Sequence, residues 1–309
     1  MDENDLQIIK LLIFNSRLSY REIAEHLNLS LNAVYKRVQN LIELGVIRRF
    51  TARINSYTLG AFYCFIYGKS DVQDIDSVIS EMKQDKNVIN IMLSSRNYVY
   101  IGSFLRDVHE LSTYTSYISQ IANIRSPTVG LRDNSYYKCP ISYIIPKSKT
   151  LDLDKLDLAI IRSLHKDSRK PISEVADDVG STPNTIRRRL ARLVEEGRVE
   201  MSIEFYPEAS KDIYSVILIN LHPTVNKAQV AKKIVEKYQP FILYCWTFSN
   251  IPSTLLCWVW SNTIQQLNEL LENLKKEKIE SVVTDIIRKG WFLDSWIDDL
   301  LLKDNLSSS

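Results

Sequence analysis

Four cysteines and four histidines in 309 residues leave this chain little with which to hold a metal. Cys64, Cys139, Cys245 and Cys257 are far apart in sequence and form no CxxC pair. That argues against structural zinc and a disulfide framework and fits a reducing, cytoplasmic setting. His26, His109, His165 and His222 share no short spacing, and His165 reads as a surface side chain. No run approaches the roughly 18 apolar residues of a membrane helix. The start, MDENDLQIIK, is acidic and then amphipathic, unlike a secretory signal, so no membrane partner is expected. An excess of one charge is missing too. With 39 Lys+Arg against 37 Asp+Glu the net charge is +2, so nucleic-acid contact requires local basic patches. There is no GxGxxG, GKS/T, HExxH or GxSxG motif. The chain is therefore read as no enzyme, with no catalytic residue, cofactor or metal. The acidic pairs Asp177-Asp178 and Asp298-Asp299 read as solvated surface. Hydrophobic residues at 45% and charged residues at 25% are ordinary globular values.

What the chain does have is an internal repeat. Shifted by 152 positions, residues 5–47 align with 157–199 without a gap. Asp5-Leu6 meets Asp157-Leu158, Ser16-Arg17 meets Ser168-Arg169, and Glu22, Ala24, Asn32, Arg37 and Gly45 meet Glu174, Ala176, Asn184, Arg189 and Gly197. The offset is close to half the length, so the chain reads as A–B–A′–B′, with boundaries at 1–55, 56–145, 146–206 and 207–309.

Module A has three helical stretches. Leu6, Ile9, Leu12 and Ile13 share one face at helical spacing. Ser19 precedes Glu22 by three, a capping box for a short helix over 20–27. Ser30 opens a third helix with Val34, Val38, Leu41 and Leu44 inward, and Gly45 closes it in a left-handed conformation. VIRRFTARIN then alternates apolar and basic residues, the pattern of a short basic hairpin or wing. In A′, Pro171 and Ser173 open the second helix, Thr182 and Pro183 the third, Gly197 ends it, and RVEMSIEFYP takes the wing's place.

The third helix carries the chemistry. Its apolar residues inward, it presents Asn32, Tyr35, Lys36, Gln39 and Asn40 outward, with Arg37 beside them and Ser30 at the cap. The second copy presents Asn184, Arg187, Arg188 and Arg192, with Arg189 beside them and Thr182 at the cap. Asn and Gln pair with adenine and Arg forks onto guanine, so such a face suits the major groove. Arg48, Arg49 and Arg53 of the wing would meet phosphates. A solvated basic face is the plain alternative. Two copies in one frame, each with a wing-like segment, favour double-stranded DNA as partner.

Module B changes period. GAFYCFIYGK, NVINIMLSS, NYVYIGSFL and SPTVGLRD read as strands, and DIDSVISEMKQD and HELSTYTSYISQIA as helices. The order β-α-β-β-α-β is that of the ferredoxin-like sandwich. B′ follows suit from IYSVILINL to ESVVTDIIR. The fold class is α+β, a tandem repeat of winged helix-turn-helix plus βαββαβ sandwich, with most Tyr and Trp as core or interface. The stretch over 140–157, with two prolines and a polar KSKT, reads as a linker. In the tail, Trp291, Phe292, Trp296, Leu300 and Leu301 predict an amphipathic helix docked on its own sheet, the alternative being a partner or self-association surface.

At this point the sequence resembles the Lrp/AsnC, or feast/famine, family of transcription regulators. Residues 5–55 resemble the winged helix of that family nearly throughout, 155–206 do so again, and both βαββαβ modules resemble its sensing and dimerising (RAM-type) domain more weakly. The resemblance implies that 30–44 and 182–196 read the major groove. Members usually carry one such pair per chain and dimerise through their sheets, so this chain would be a covalent pseudo-dimer that self-associates through its sandwich domains. Many members bind amino acids near a Gly-Asp-Tyr-Asp turn. Here the matching turns are SSRNYVY (94–100) and FSNIPSTLL (248–256), without the Gly-Asp pair. Ser94, Arg96, Tyr98, Ser249, Asn250 and Ser253 are then candidate contacts for some other small-molecule effector, the alternative being ordinary loop tips.

Two other functions share the plan. Sirohaem decarboxylases pair the same domains and use a histidine-bearing stretch on the central strands, where this chain has Arg96-Asn97-Tyr98 and no histidine. A non-specific architectural DNA protein would use the same residues without sequence preference.

Overall fold

Side-chain caps fix most of the helix starts that the sequence marks. The computed structural model describes residues 1–141, 144, 146, 152–277 and 279–302. It begins with helices α1 (Glu3–Phe14), α2 (Tyr20–Leu27) and α3 (Leu31–Glu43) and strand β1 (Ile47–Ile54). Ser19 makes the full capping box: its Oγ accepts from the Glu22 amide at 3.2 Å, and its own amide donates to Glu22 Oε2 at 2.7 Å. Ser30 Oγ accepts from the Ala33 amide at 3.1 Å, and Gly45 follows α3 at φ +75. The second copy consists of α6 (Lys155–Leu164), α7 (Ile172–Asp178), α8 (Pro183–Glu195) and β6 (Val199–Phe205). Thr182 caps α8 with Pro183 in its first turn. Val34, Val38 and Leu41 are buried in α3, as are Ile186, Leu190 and Leu193 in α8, whereas Leu44, expected inward, sits past the last turn at the C-cap and is exposed.

Neither wing folds back into the expected hairpin. VIRRFTARIN and RVEMSIEFY contain no turn signal at which to reverse, and a lone strand leaves a row of unpaired amides. The two instead pair with each other, β1 antiparallel to β6. The pair Arg49–Glu204 becomes Ala52–Met201 when each residue is replaced by its counterpart 152 positions away, and both pairs are in the ladder.

Both helix-turn-helix copies belong to one unit, formed by residues 7–61, 139–206 and 294 onward. Arg169 Nη1 donates to the carbonyls of Ser16 and Leu18 at 2.8 and 3.0 Å. Arg17 Nη1 donates to the carbonyls of Ser168 and Lys170, the latter at 3.1 Å. The buried hydroxyls of Ser16 and Ser168 meet at 2.6 Å. Exchanging each residue for its counterpart turns this set of contacts into itself, so the Ser16–Ser168 contact lies on an internal two-fold.

The second unit, residues 1–6, 62–138 and 207–293, holds the sheets. Its first copy runs β2 (Phe62–Lys69), α4 (Ile75–Met82), β3 (Val88–Ser94), β4 (Tyr98–Leu105), α5 (Leu111–Ile121) and β5 (Thr128–Tyr136). Its second runs β7 (Ile213–Leu221), α9 (Lys227–Lys237), β8 (Ile242–Phe248), β9 (Thr254–Ser261), α10 (Ile264–Lys275) and β10 (Ile279–Phe292). Both show the β-α-β-β-α-β order. The strands close into one barrel, β10-β3-β4-β2-β5-β8-β9-β7, in which the last strand of each copy pairs with the second strand of the other. Closure removes the open edges that two separate sheets would expose.

Alternation along the strands divides two kinds of core. Aliphatic residues such as Ile66, Ile101, Ile217 and Leu255 pack with the helices in two clusters. The alternate residues Phe65, Tyr67, Tyr100, Trp246 and Trp258 meet one another: Tyr67 stacks on Tyr100 at 5.5 Å, and Phe65 meets Trp246 edge-on at 5.2 Å. Glycine makes room for them. A Cβ on Gly102 would lie 2.2 Å from the Tyr63 hydroxyl, and one on Gly130 2.4 Å from the Phe248 ring.

The tail departs from the single expected helix. Trp291 and Phe292 end β10, which runs long because it has two partners in succession, β7 over 279–286 and β3 over 287–292. Only α11 (Trp296–Leu302) is helical. It docks on α6 and β1 of the helix-turn-helix unit, not on the preceding sheet, with Trp296, Ile297 and Leu301 buried. The KSKT stretch of the linker and the last residues, 303–309, lie outside the described residues. No described helix is long and apolar enough to cross a membrane.

Candidate nucleic-acid interface

The burial that orients α3 and α8 leaves two polar faces in water. Asn32, Tyr35, Lys36 and Asn40 are exposed on α3, with Arg37 and Gln39 half-buried. On α8, Asn184, Arg187, Arg188, Ala191 and Arg192 are exposed, and Arg189 is half-buried. Ser30 and Thr182 are exposed at the two caps, each occupied by a helix amide.

The cations of the two faces are not equally available. Arg188 and Lys36 have no ion pair among the described residues. Arg187 donates to Asn184 Oδ1 at 2.9 Å. Arg189 pairs with Asp154 and, at 3.1 Å, with Asp157, and Arg192 also pairs with Asp157. Asp157 is itself buried on α6, where it completes a capping box with Asp154. Two arginines of α8 are thus drawn toward their own domain.

The strand arginines are also engaged. Arg48 is exposed, its guanidinium 3.7 Å from the Tyr206 ring centroid. Arg49 pairs with Glu204 and, at 2.8 Å, with Asp294. Arg53 lies 3.1 Å from Asp294 and 3.2 Å from Asp298. Asp298 is therefore not solvated surface: it is 1% exposed and caps α11 through the Ser295 amide at 2.7 Å. Asp177 and Asp178 are exposed as expected. His165 is likewise no surface side chain. It is 3% exposed, at the end of α6, with Nδ1 donating to the Ala52 carbonyl at 3.0 Å. Sequence distance hid both, since their partners are over a hundred residues away.

The effector candidates make contacts within the barrel, and those of Arg96, Ser249 and Asn250 cross between its two copies. Ser94 Oγ accepts from the amides of Arg96 and Tyr98 at 3.2 and 3.0 Å and so shapes the β3–β4 turn. Arg96 lies 3.3 Å from buried Asp285, which also accepts from the Tyr100 hydroxyl at 3.0 Å. In the other copy, the Asn250 side chain accepts from the Leu131 amide at 2.8 Å and donates to the Val129 carbonyl at 2.7 Å. The Ser249 amide donates to the Leu131 carbonyl, and the Ser253 carbonyl accepts from the Leu221 amide. Cys245 and Cys257, distant in sequence, oppose each other across β8 and β9 as free thiols.

Comparison with known proteins follows this division. Residues 1–48 match the winged helix-turn-helix DNA-binding family, and residues 153–194 match the AsnC-type helix-turn-helix domain. An uncharacterized HTH-type transcriptional regulator of Pyrococcus horikoshii is 33% identical over 135 residues, spanning 42% of this chain and 91% of the relative. One from Pyrococcus abyssi matches to the same extent. Each relative thus accounts for less than half of this chain. Over the full length, the fold is similar to the crystal structure of the siroheme decarboxylase NirDL, with a TM-score of 0.59, 13% identity, and coverage of 97% of this chain and 99% of the other. At that identity the likeness concerns the fold alone. With its two helix-turn-helix copies, the second of AsnC type, and relatives matched over nine-tenths of their length, the chain belongs to the Lrp/AsnC family of helix-turn-helix transcriptional regulators.

Proposed function

We propose that the protein is a sequence-specific regulator of transcription that binds double-stranded DNA with both reading heads on one polypeptide, an intrachain pseudo-dimer with boundaries near 1–55, 56–145, 146–206 and 207–309. The reciprocal contacts about Ser16 and Ser168, which join two helix-turn-helix copies with exposed polar third helices, carry this reading. It assigns the protein no catalytic role and no cofactor, and it places the protein in the cytoplasm. It also includes a small-molecule effector and self-association through the sheet unit, which light scattering would measure.

The heads differ where they face the bases. Tyr35 and Lys36 in the first correspond to Arg187 and Arg188 in the second, and Gln39 and Asn40 to Ala191 and Arg192. A chain of this kind prefers two unlike half-sites. Arg188→Ala is the cleaner probe, because Asp157 competes for Arg189 and Arg192. It is expected to weaken one half-site by roughly 1–3 kcal/mol, seen as lost footprint protection there. Affinity is expected to fall with salt by about 0.9 log units per phosphate neutralised for each tenfold rise in salt. Binding indifferent to salt would overturn the reading. Equal weakening on every sequence would instead indicate a non-specific architectural role.

The full-length fold likeness to NirDL favours one second reading, a sirohaem decarboxylase. Absorbance of the purified protein mixed with sirohaem tests it, an unchanged spectrum of the tetrapyrrole excluding it.

A further inference from the structure

Six ionisable side chains meet in the helix-turn-helix unit, four of them where the other copy has uncharged residues. They are Arg49 and Arg53 on β1, Glu204 on β6, His165 at the end of α6, and Asp294 and Asp298 in the tail. The counterparts of Arg49, Arg53, Glu204 and His165, 152 positions away, are Met201, Phe205, Ala52 and Ile13. The part of this position formed by β1, β6 and the end of α6 is thus built once without charge and once from charges. A buried ion cluster is often no more stable than well-packed apolar residues, so the fold alone does not call for it.

A metal ion does not account for the cluster. His165, Asp294 and Asp298 are close enough together to be considered as ligands. Their oxygens, however, already face guanidinium groups: Asp294 Oδ1 is 2.8 Å from Arg49 and 3.1 Å from Arg53, and Asp298 Oδ1 is 3.2 Å from Arg53. A divalent cation would sit against two fixed positive charges. A proton fits better. Three carboxylates and two guanidinium groups leave the cluster at −1, and a protonated imidazole brings it to zero.

We infer that this cluster is a proton-dependent latch: protonated His165 holds the C-terminal helix α11 on α6 and β1, and loss of that proton loosens the helix. The imidazole lies between the two tail acids, 3.7 Å from Asp294 and 3.8 Å from Asp298. Burial opposes its charge, but Asp294, the Ala52 carbonyl and Asp298 outweigh burial and raise its pKa above the ordinary value. His165 and the guanidinium groups hold the carboxyl of Asp294 well below the usual carboxylate range. The other charged groups on these elements are Arg48, Lys155, Asp157, Glu200, Asp299 and Arg162, which donates to the Leu301 carbonyl. Carboxylates and guanidinium groups keep their charge near neutrality, which leaves the imidazole as the group that titrates there.

The sign follows from the direction of each shift. A raised histidine pKa stabilises docking fully below about pH 6.5, and that contribution is lost as pH rises through the higher folded value. A lowered Asp294 pKa stabilises docking above about pH 4, and that contribution is lost as pH falls through the folded value. Buried Trp296, Ile297 and Leu301 remain apolar throughout, so the latch loosens without complete release.

Hydrogen exchange on the full chain tests this, read on peptides covering 294–302 and corrected for intrinsic rate. In the wild type, protection is expected to fall several-fold between about pH 6 and about pH 8.5, as the imidazole loses its proton. His165→Asn lacks the charge and should be weakly protected and flat with pH. Asp294→Asn removes the acid that requires the proton and should also be flat. Protection of barrel peptides in the same samples separates a local effect from misfolding. Equal wild-type protection at both pH values, or a His165→Asn variant that follows the wild type, would overturn the latch. So would Zn²⁺ restoring protection at high pH in the wild type and not in His165→Asn, which would make the cluster a metal site.

Discussion

Trp258→Ala is expected to destabilise the protein by about 3–5 kcal/mol, measured as a lower denaturation midpoint. The side chain is wholly buried inside the barrel. It stacks on Tyr214 at 5.5 Å and meets Trp246 edge-on at 5.4 Å and Phe65 at 6.1 Å. Removing roughly 200 Å² of aromatic surface from the interior at about 25 cal/mol/Å² gives about 5 kcal/mol, within the same range. Among the described residues the indole Nε1 has no hydrogen-bond partner. Trp258→Phe therefore keeps most of the packing and removes an unsatisfied donor, and its loss is expected to be about 1–2 kcal/mol. Equal losses for Ala and Phe would show that the ring contacts are not what holds this part of the barrel.

Breaking the two-fold contacts should cost nearly as much. Arg17→Ala and Arg169→Ala each remove a guanidinium that donates to two carbonyls of the opposite helix-turn-helix copy. Hydrogen bonds from charged donors contribute about 1.5–3 kcal/mol, so each substitution is expected to lose about 2–3 kcal/mol. Arg169 should lose the more, because it also lies 4.7 Å from the Tyr20 ring and 5.3 Å from the Phe50 ring. The double variant is expected to lose less than the sum of the singles, since both arginines grip the same junction around Ser16 and Ser168. Strict additivity in a denaturant double-mutant cycle would mean that the two contacts are independent and that the junction is not one cooperative element.

Much of this was legible where the signal is local. Capping at Ser19, Ser30 and Thr182, the glycines at 45 and 197, and the spacing of Val34, Val38 and Leu41 depend on neighbours within a few residues, so the helices and their outward faces follow from the sequence. The strand order of both sandwiches follows for the same reason. The wings did not, because strand pairing is a choice of partner: VIRRFTARIN carries the pattern of a strand but not the address of RVEMSIEFY. The repeated Ser-Arg pairs at 16–17 and 168–169 were visible as matches, yet only the fold reveals that they reach across to each other. His165 and Asp298 were misread for a related reason. Each looks like an ordinary surface residue beside its sequence neighbours, and each is buried by segments more than a hundred positions away.

The pairing of β1 with β6 also bears on the order in which the protein is made. At about 5–20 residues per second, the 152 positions between equivalent residues of the two copies take roughly 8–30 s to synthesise. Throughout that interval the first copy's strand has left the ribosome without its ladder partner, an open edge at the stage when a nascent chain is least protected. On a polysome the same edge meets the newly made β6 of a neighbouring chain before its own arrives. An exchanged pair of chains would form every hydrogen bond of the ladder, so crowded synthesis favours swapped dimers that dilution alone would be slow to resolve.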